Sequence, residues 1–246
     1  MKKKEKIMKN IKVKVLIFDV FGTVVDWRST IKKELNKFLP VDLNQNELND
    51  FALEWRKGYT DFIGKFNDGK VEWKNVDELH LDKLKELLES KELLNSMDDK
   101  NIHEINKLWH KLYPWDDSVE GLRKLKEDFS IGTLSNGNFS LLLNMSKYSK
   151  LNWDFIFSGD IFEKYKTDEY VYIKACQYLD LNPNQVMLVA AHEGDLNAAK
   201  KLGLKTAYVN RPLEYSDVPD INKPTDYDYS ATDFIDLYKK LKKNNT

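Results

Sequence analysis

The sequence predicts an α/β fold, a Rossmann-like doubly wound parallel sheet core with an inserted helical cap domain. In the second half of the chain, short apolar segments alternate with amphipathic helical segments. Strand–helix–strand repetition of this kind gives a parallel sheet covered by helices on both faces. A long stretch with helical periodicity separates the first apolar segment from this alternation, which predicts a helical insertion.

Five short apolar segments are predicted as the strands of the sheet. They are residues 13–18, 130–134, 155–157, 186–190 and 206–209. The predicted helices between them are residues 118–127, 168–179 and 195–202. Because ligands bind at the carboxyl ends of parallel strands, we expect the functional residues where these strands end.

The insertion spans residues 27–115 and is rich in Lys, Glu, Leu and Asn. Its apolar residues recur at helical spacing in three runs, which begin at Leu48, Leu81 and Ile102. The predicted domains are therefore a core of residues 11–26 plus 116–246, a helical cap of residues 27–115 and an N-terminal tail of residues 1–10. An insertion that enters directly after the first strand can fold over the strand ends and close them from water.

The overall charge argues against nucleic acid and an anionic membrane as partners. The chain has 246 residues and a net charge of -1. The seven lysines among the first fourteen residues predict a solvated tail. No apolar stretch approaches the ~20 residues that cross a bilayer, and none fits a signal peptide. We therefore expect a cytoplasmic protein.

Cysteine and histidine usage points away from disulfides and thiolate metal clusters. Cys176 is the only cysteine, so an intrachain disulfide is impossible. Three of the four histidines lie in highly charged helical segments, where we expect them at the surface. They are His80, His103 and His110.

Asp19 is the most informative residue of the chain. It closes the apolar segment 13–18 and precedes a turn that contains Gly22. A carboxylate placed where a buried strand meets such a turn is held rigid and aimed at a ligand above the sheet. This is how a nucleophile is presented. Phe21 matters as well, because a related phosphate-transfer chemistry would need a second carboxylate at its position.

Four segments resemble, in the same order, the four motifs of the haloacid dehalogenase superfamily. They are Phe-Asp-Val-Phe-Gly-Thr at 18–23, Leu-Ser-Asn-Gly at 134–137, Tyr-Lys-Thr-Asp at 165–168 and Val-Ala-Ala-His-Glu-Gly-Asp at 189–195. The resemblance covers roughly residues 11 to 215, and its closest form is the (S)-2-haloacid dehalogenase branch. It implies that the helical insertion is the cap of that branch.

The resemblance also implies the catalytic residues. Asp19 would attack the carbon that bears the halogen and form an ester. Lys166 would pair with Asp19 and lower its pKa, so that the nucleophile stays ionised. Asp195 would hold Lys166 or orient the water that hydrolyses the ester, and Thr23 offers a hydroxyl at the same sheet edge. For His192, two roles stay open: a neutral imidazole that holds water, or a hydrogen bond within its turn.

For substrate binding, the resemblance implies two groups of contacts. Ser135 and the backbone N–H groups of Val20 and Phe21 would hold the substrate carboxylate. The amide of Asn136 and the guanidinium of Arg56 would bind the departing halide, since a guanidinium keeps its charge at working pH.

Three further positions have open interpretations. Tyr172 corresponds to a family tyrosine near the substrate, although helix packing explains it nearly as well. Arg28 follows the first motif closely and competes for the halide-binding role. Gly194 stands where some relatives carry an aromatic ring in the halide pocket, so Phe62 or Trp27 would have to supply that ring.

The expected function is the hydrolytic dehalogenation of short (S)-2-haloalkanoic acids to (R)-2-hydroxy acids, with halide as the second product. By resemblance the enzyme needs no metal or cofactor and forms a homodimer. The main rival is a magnesium-dependent phosphatase, which needs carboxylates where Phe21 and Ala191 stand. A second rival is a non-catalytic carboxylate-binding protein on the same scaffold.

Overall fold

The computed structural model describes residues 12–221, 224 and 226–244, so the expected tail of residues 1–10 lies outside the described residues. The strands are β1 (Val15–Phe18), β2 (Val25–Asp26), β3 (Tyr113–Pro114), β4 (Ser130–Leu134), β5 (Phe155–Phe157), β6 (Val186–Ala190), β7 (Lys205–Val209) and β8 (Tyr229–Ala231). The helices are α1 (Trp27–Glu34), α2 (Gln45–Asn67), α3 (Val76–Ser90), α4 (Asp99–Asn106), α5 (Ser118–Asp128), α6 (Phe139–Tyr148), α7 (Gly159–Phe162), α8 (Glu169–Tyr178), α9 (Glu193–Lys201) and α10 (Phe234–Asn244).

Strand β1 lies inside a six-stranded sheet with the spatial order β5–β4–β1–β6–β7–β8. Every neighbouring pair in this sheet is parallel. Phe18, the last residue of β1, is level with Thr133 of β4 and Val189 of β6. The chain leaves β1 toward β4 and later returns to β6, so β1 marks the point where the strand order reverses. Ligands of open α/β sheets bind at this point.

Alternate residues of β1 pack on opposite faces of the sheet, as the two-residue period of a strand requires. Leu16 and Phe18 belong to a core that also contains apolar residues of α5 and α10. Val15 and Ile17 belong to a second core, formed with α8 and α9. Helices therefore cover both faces, and the predicted fold class is confirmed.

The predicted strands 130–134, 155–157 and 186–190 have these bounds in the structure, while β1 and β7 begin within two residues of the predicted positions. The elements β8 and α10 are not among those predicted from the sequence. A strand of only three residues, Tyr-Ser-Ala, is too short to give an apolar signal of its own.

The segment between β2 and β3 forms the helices α1 to α4. Helices α2 and α3 both begin with a capping box, in which Asn44 pairs with Glu47 and Asn75 with Glu78. The antiparallel pair β2–β3 stands at the two ends of this segment and joins it to the sheet domain. Within the described residues, no helix is both long and apolar enough to cross a membrane.

The expected surface positions of His80 and His110 are wrong, whereas His103 is exposed as expected. The His80 ring stacks on Trp109 with the ring centroids 4.0 Å apart, and burial lowers the pKa of His80 well below its usual value. His110 lies 2.8 Å from a carboxylate oxygen of Asp77. His80 is buried because α3 packs against α2, α4 and the helical turn Lys107–Lys111, so more than one face of it is covered. His110 lies in that turn and is buried where the turn faces Asp77 of α3.

Candidate active site

The residues predicted to be catalytic lie together at the carboxyl edge of the sheet. Asp19 directly follows β1, and Ser135 directly follows β4. His192 and Asp195 stand at the start of α9, immediately after β6. Lys166 lies in the segment between α7 and α8, which crosses the same edge and brings its ammonium group to Asp19.

Lys166 joins two buried carboxylates. Its Nζ lies 2.8 Å from Asp19 Oδ1 and 2.5 Å from Asp195 Oδ2. The other oxygen of Asp195 accepts a hydrogen bond of 2.5 Å from the hydroxyl of Tyr172. Tyr172 is therefore held against Asp195, and its hydroxyl is already in use within the protein.

Burial and mutual charge interactions shift the pKa values of Asp19, Lys166 and Asp195. Burial raises the pKa of Asp19, but the charges of Lys166 and His192 outweigh it and hold the pKa below its usual value. Burial lowers the pKa of Lys166, but the two carboxylates outweigh it and raise the pKa. Burial and the charge of Asp19 raise the pKa of Asp195 against the influence of Lys166. At neutral pH, Asp19 is thus a carboxylate and Lys166 an ammonium.

On the other side of Asp19, His192 lies between Asp19 and a further carboxylate, that of Glu214. Its Nδ1 lies 3.0 Å from Asp19 Oδ2, and its Nε2 lies 2.9 Å from Glu214 Oε2. The indole N–H of Trp27 donates to Glu214 Oε1 at 3.1 Å. Ionised carboxylates only accept hydrogen bonds, so a His192 ring that carries a proton on each nitrogen can donate to both Asp19 and Glu214.

The charge of His192 agrees with its surroundings. Burial lowers the pKa of His192, but the charge of Glu214 and the hydrogen bonds with Asp19 and Glu214 outweigh it and raise the pKa to about 10. The neutral imidazole considered from the sequence is therefore replaced by an imidazolium. The physical reason is the second carboxylate, Glu214, which the sequence analysis did not identify.

Glu214 lies in the loop after β7, outside the four sequence motifs, and is only 4% exposed. Its carboxylate packs on Gly22, where a Cβ atom would lie 2.0 Å from Glu214 Oε1. Gly22 also has a φ of +84°, which favours glycine. The sequence carried one weak signal for Glu214, its place shortly after a predicted strand end.

Thr23 and Ser135 have different settings. The hydroxyl of Thr23 donates to Asp19 Oδ2 at 2.8 Å and accepts from the N–H of Ala191 at 2.9 Å, which fixes its direction. Ser135 is 3% exposed, and its Oγ accepts from the N–H of Gly137 at 3.2 Å. Val20 and Phe21, whose N–H groups are the predicted carboxylate binders, follow Asp19 directly and are buried.

Arg56 of α2 reaches the same region from the helical insertion. Its Cζ lies 4.5 Å from the ring centroid of Tyr59, 5.4 Å from that of Phe21 and 5.8 Å from that of Trp27. Two of its nitrogens, Nε and Nη1, are buried without a hydrogen-bond partner among the described residues. A guanidinium with free N–H groups between aromatic rings is suited to bind an anion.

Asn136 connects α2 of the helical insertion to Lys166. Its Nδ2 donates to the hydroxyl of Tyr59 at 2.8 Å, and its Oδ1 accepts from the backbone N–H of Lys166 at 2.7 Å. One of the two amide N–H groups expected for the halide is therefore already used by Tyr59.

Comparison with known proteins agrees with this geometry. Residues 13–203 match the sequence profile of the haloacid dehalogenase-like hydrolases. The chain belongs to this family. The match covers most of the chain and includes all four motifs.

Three relatives give the resemblance more detail. The crystal structure of the defluorinating L-2-haloacid dehalogenase Rha0230 has 38% sequence identity and a TM-score of 0.88, over 94% of this chain and 95% of that one. The L-2-haloacid dehalogenase PA0810 has 38% identity and a TM-score of 0.87, over 94% and 99%. The (S)-2-haloacid dehalogenase 4A of Burkholderia cepacia is 28% identical over 84% of this chain and 88% of its own length. They confirm the resemblance to this branch and the expected enzyme class, a hydrolase related to those that act on carbon–halide bonds.

The sequence left open which arginine of this haloacid dehalogenase-like hydrolase binds the halide and which aromatic ring lines the halide pocket. Arg28 is buried, and its guanidinium donates to the carbonyls of Leu213 and Glu214, so it holds the loop that carries Glu214. Trp27 lies beside Arg56. Phe62 lines an outer groove between α2 and α3 instead. Beside Gly194, a Cβ would meet no described atom within 4 Å other than its chain neighbours and the backbone of its own helix.

The carboxylates at this site are already joined to cations of the chain. Among the residues that the structure describes, no group of three or more His, Cys, Asp or Glu side chains is placed to hold a metal ion. Asp19 and Asp195 are bridged by the ammonium group of Lys166. Phe21 is buried where the second carboxylate of such a relative would stand.

Proposed function

We propose that this haloacid dehalogenase-like hydrolase converts short (S)-2-haloalkanoic acids, such as haloacetates and 2-halopropionates, to (R)-2-hydroxy acids. The observation that carries the proposal is a buried, ionised Asp19 held between Lys166 and His192, with Phe21 beside it instead of a second carboxylate. The L-2-haloacid dehalogenases with 38% identity support the same substrate class.

In the first step, Asp19 attacks the carbon that bears the halogen. A bond forms between the carboxylate and this carbon, and the carbon–halogen bond breaks, with its electron pair leaving on the halide. Ser135 and the N–H groups after Asp19 hold the substrate carboxylate, while Arg56 stabilises the departing anion. Attack from the side opposite the halogen inverts the carbon.

In the second step, water attacks the carbonyl carbon of the Asp19 ester. Asp195 orients this water and accepts its proton, and burial raises its pKa. The bond from carbon to the new hydroxyl oxygen is not broken in this step, so the inversion of the first step is kept. An (S)-halo acid therefore gives an (R)-hydroxy acid.

The reaction is proposed to need no metal, because Lys166 supplies the positive charge between Asp19 and Asp195. The same arrangement disfavours phosphoryl transfer, which needs a cation to offset the repulsion between phosphate and the nucleophile. We also propose that the helical insertion acts as a cap over the site and that the enzyme forms a homodimer. Light scattering on the purified protein measures its molar mass and so tests whether it is a homodimer.

Halide release with and without a chelator tests the proposed function. The substrates are fluoroacetate, chloroacetate and both enantiomers of 2-chloropropionate; fluoroacetate is included because one similar enzyme is described as defluorinating. We expect release from the (S) enantiomer, unchanged by chelator, and an (R)-hydroxy acid as product. Asp19→Asn should abolish release, whereas Asp50→Asn, a change of an exposed Asp in α2, should not alter it.

Two outcomes would contradict the proposal. Magnesium-dependent hydrolysis of p-nitrophenyl phosphate, with no halide release, would establish the phosphatase rival. Binding of short carboxylates without halide release from any of the 2-halo acids would establish the non-catalytic rival.

A further inference from the structure

The two oxygens of Asp19 differ in how many hydrogen bonds they accept from side chains. Oδ2 accepts two, from the hydroxyl of Thr23 at 2.8 Å and from Nδ1 of His192 at 3.0 Å. Oδ1 accepts one, from Lys166 at 2.8 Å, among the side chains that the structure describes. A carboxylate oxygen has two lone pairs in the plane of the group. Both are occupied on Oδ2, and one remains available on Oδ1.

We infer that Oδ1 is the attacking oxygen, and that Thr23 and the imidazolium of His192 form an oxyanion hole on Oδ2 for hydrolysis of the ester, with Glu214 as the positioning residue of His192. The inference rests on the proposed function, since it concerns the second step of that reaction. The role of His192 is then to donate a hydrogen bond to Oδ2, and the role of Glu214 is to hold His192 in place for it.

The bonding changes explain why Oδ2 needs donors in the second step. When Oδ1 bonds to the substrate carbon, Oδ2 becomes the carbonyl oxygen of the ester. Water then adds to Asp19 Cγ, its proton passes to Asp195, and the carbonyl electron pair moves to Oδ2. Two donors already aimed at Oδ2 stabilise this negative charge without reorganisation.

Collapse of the tetrahedral intermediate at Asp19 Cγ releases the product and returns the proton from Asp195. The carbon–oxygen double bond to Oδ2 forms again, and the bond between Cγ and Oδ1 breaks. The departing alkoxide takes the proton from Asp195 and becomes the hydroxy acid. Asp19 is left as a carboxyl group, which loses one proton to water and returns to its ionised form.

Glu214 matters most when Asp19 is esterified. In the free enzyme, two carboxylates contact the His192 ring, Asp19 and Glu214. Esterification removes the charge of Asp19, so Glu214 is then the carboxylate that keeps the ring protonated. The other titratable groups that line the cavity beside His192 are Tyr208, Arg211, Tyr215 and Asp220.

The position of Glu214 is fixed by contacts that do not involve the substrate. Trp27 donates to its carboxylate, and the guanidinium of Arg28 donates to its backbone carbonyl at 3.0 Å. Arg211, the nearest cation along the chain, is paired with Asp117 at 2.6 Å instead. The carboxylate of Glu214 is therefore directed at His192 and not at a guanidinium.

Burst kinetics of Glu214→Gln test the inference. With (S)-2-chloropropionate, we expect a rapid burst of one halide per active site at the wild-type rate, followed by turnover slowed about 10²-fold, as for the loss of an oxyanion donor. Mass spectrometry should find the ester on the peptide that contains Asp19. Glu193→Gln, the same change at an exposed neighbour of His192 that contacts Tyr227, should behave as the wild type.

The pH dependence separates this role from a merely structural one. Without Glu214, the pKa of His192 in the ester falls to about 6.5 or below. The slow turnover of Glu214→Gln should therefore decrease as the pH rises through neutrality, while the wild type keeps its rate. His192→Asn should also show the burst and the slow phase, but without this pH dependence, because its side chain does not titrate. It serves as the second test if Glu214→Gln does not fold.

Three results would overturn the inference while leaving the proposed function intact. One is a Glu214→Gln enzyme with wild-type turnover. Another is a slower halide burst without accumulated ester, which would place Glu214 in the first step. The third is turnover of Glu214→Gln that rises with pH, which would make His192 a base. If the wild type releases no halide, the proposed function itself fails.

Discussion

The two oxygens of Asp19 face two chains of groups with the same composition, a cation, a second carboxylate and an aromatic side chain that donates a hydrogen bond. The chain on Oδ1 is Lys166, Asp195 and Tyr172, and the chain on Oδ2 is His192, Glu214 and Trp27. The similarity is in the order of charges. The difference is in the cation.

Lysine carries its charge at any working pH here, because the two carboxylates raise its pKa above the usual value of 10.5. The charge of His192 depends on its neighbours, since its usual pKa of 6.5 is raised to about 10 by Glu214 and Asp19. The Lys166 side therefore suits a permanent task, keeping Asp19 ionised. The His192 side suits a task that depends on the carboxylate behind it.

Removing Lys166 should have the largest effect. Lys166→Met leaves Asp19 and Asp195 buried without their shared cation, and breaking a buried ion pair in this way costs about 3–5 kcal/mol. We expect the free energy of unfolding in urea to fall by about this amount and halide release to slow about 10³-fold. Lys57→Met, which removes one partner of an exposed pair with Asp61, should cost less than about 1 kcal/mol. Equal costs for the two variants would contradict the account.

The two cations should also differ in how stability depends on pH. A raised pKa in the folded state stabilises the protein below the usual pKa, and this stabilisation is lost as the pH rises through the raised pKa. The stability difference between wild type and His192→Asn should therefore shrink as the pH rises from 7 to about 10. Lys166 keeps its charge over this whole range, so its own titration should cause no such decrease in the Lys166→Met difference.

Urea unfolding at a series of pH values measures both differences. Groups that do not interact with the substituted residue titrate alike in wild type and variant, so they cancel in each difference. A His192→Asn difference that does not change with pH would show that the ring is uncharged in the folded protein.

The outer donors should have the smallest effects. Tyr172→Phe removes the hydroxyl that donates to Asp195, and Trp27→Phe removes the indole N–H that donates to Glu214. A hydrogen bond to a charged group contributes about 1.5–3 kcal/mol, so each unfolding free energy should fall by roughly that amount. Burst kinetics should show that Trp27→Phe slows ester hydrolysis but not halide release. If either variant costs more than Lys166→Met, the order of importance along the two chains is wrong.

The groups on the Lys166 side could be predicted from the sequence. On the His192 side, neither Glu214 nor the charge of His192 could be predicted. Asp19 and Asp195 stand beside predicted strand ends, and parallel strands bring such ends to one edge. Lys166 was found through its motif. Glu214 has no motif and reaches the site only because its loop turns back over Gly22, a contact between residues far apart in the chain. The charge of His192 depends on that contact, so it could not be predicted either.

The cap shows a second limit of the sequence. Helical spacing predicted its helices correctly, and Leu48, Phe51 and Trp55 of α2 are buried as that spacing requires. Spacing does not tell how many neighbours a helix has, however. His80 and His110 lie among charged residues in the sequence, yet packing with Trp109 and Asp77 buries both rings.

The most direct test of the central claim, that Asp19 forms a bond to the substrate carbon, is a single turnover in water enriched in heavy oxygen. Enzyme is used in excess over (S)-2-chloropropionate, and both the product and the peptide that contains Asp19 are analysed by mass spectrometry. The account predicts heavy oxygen in Asp19 and none in the hydroxy acid. Heavy oxygen in the hydroxy acid with none in Asp19 would mean that water attacks the substrate directly, and would contradict it.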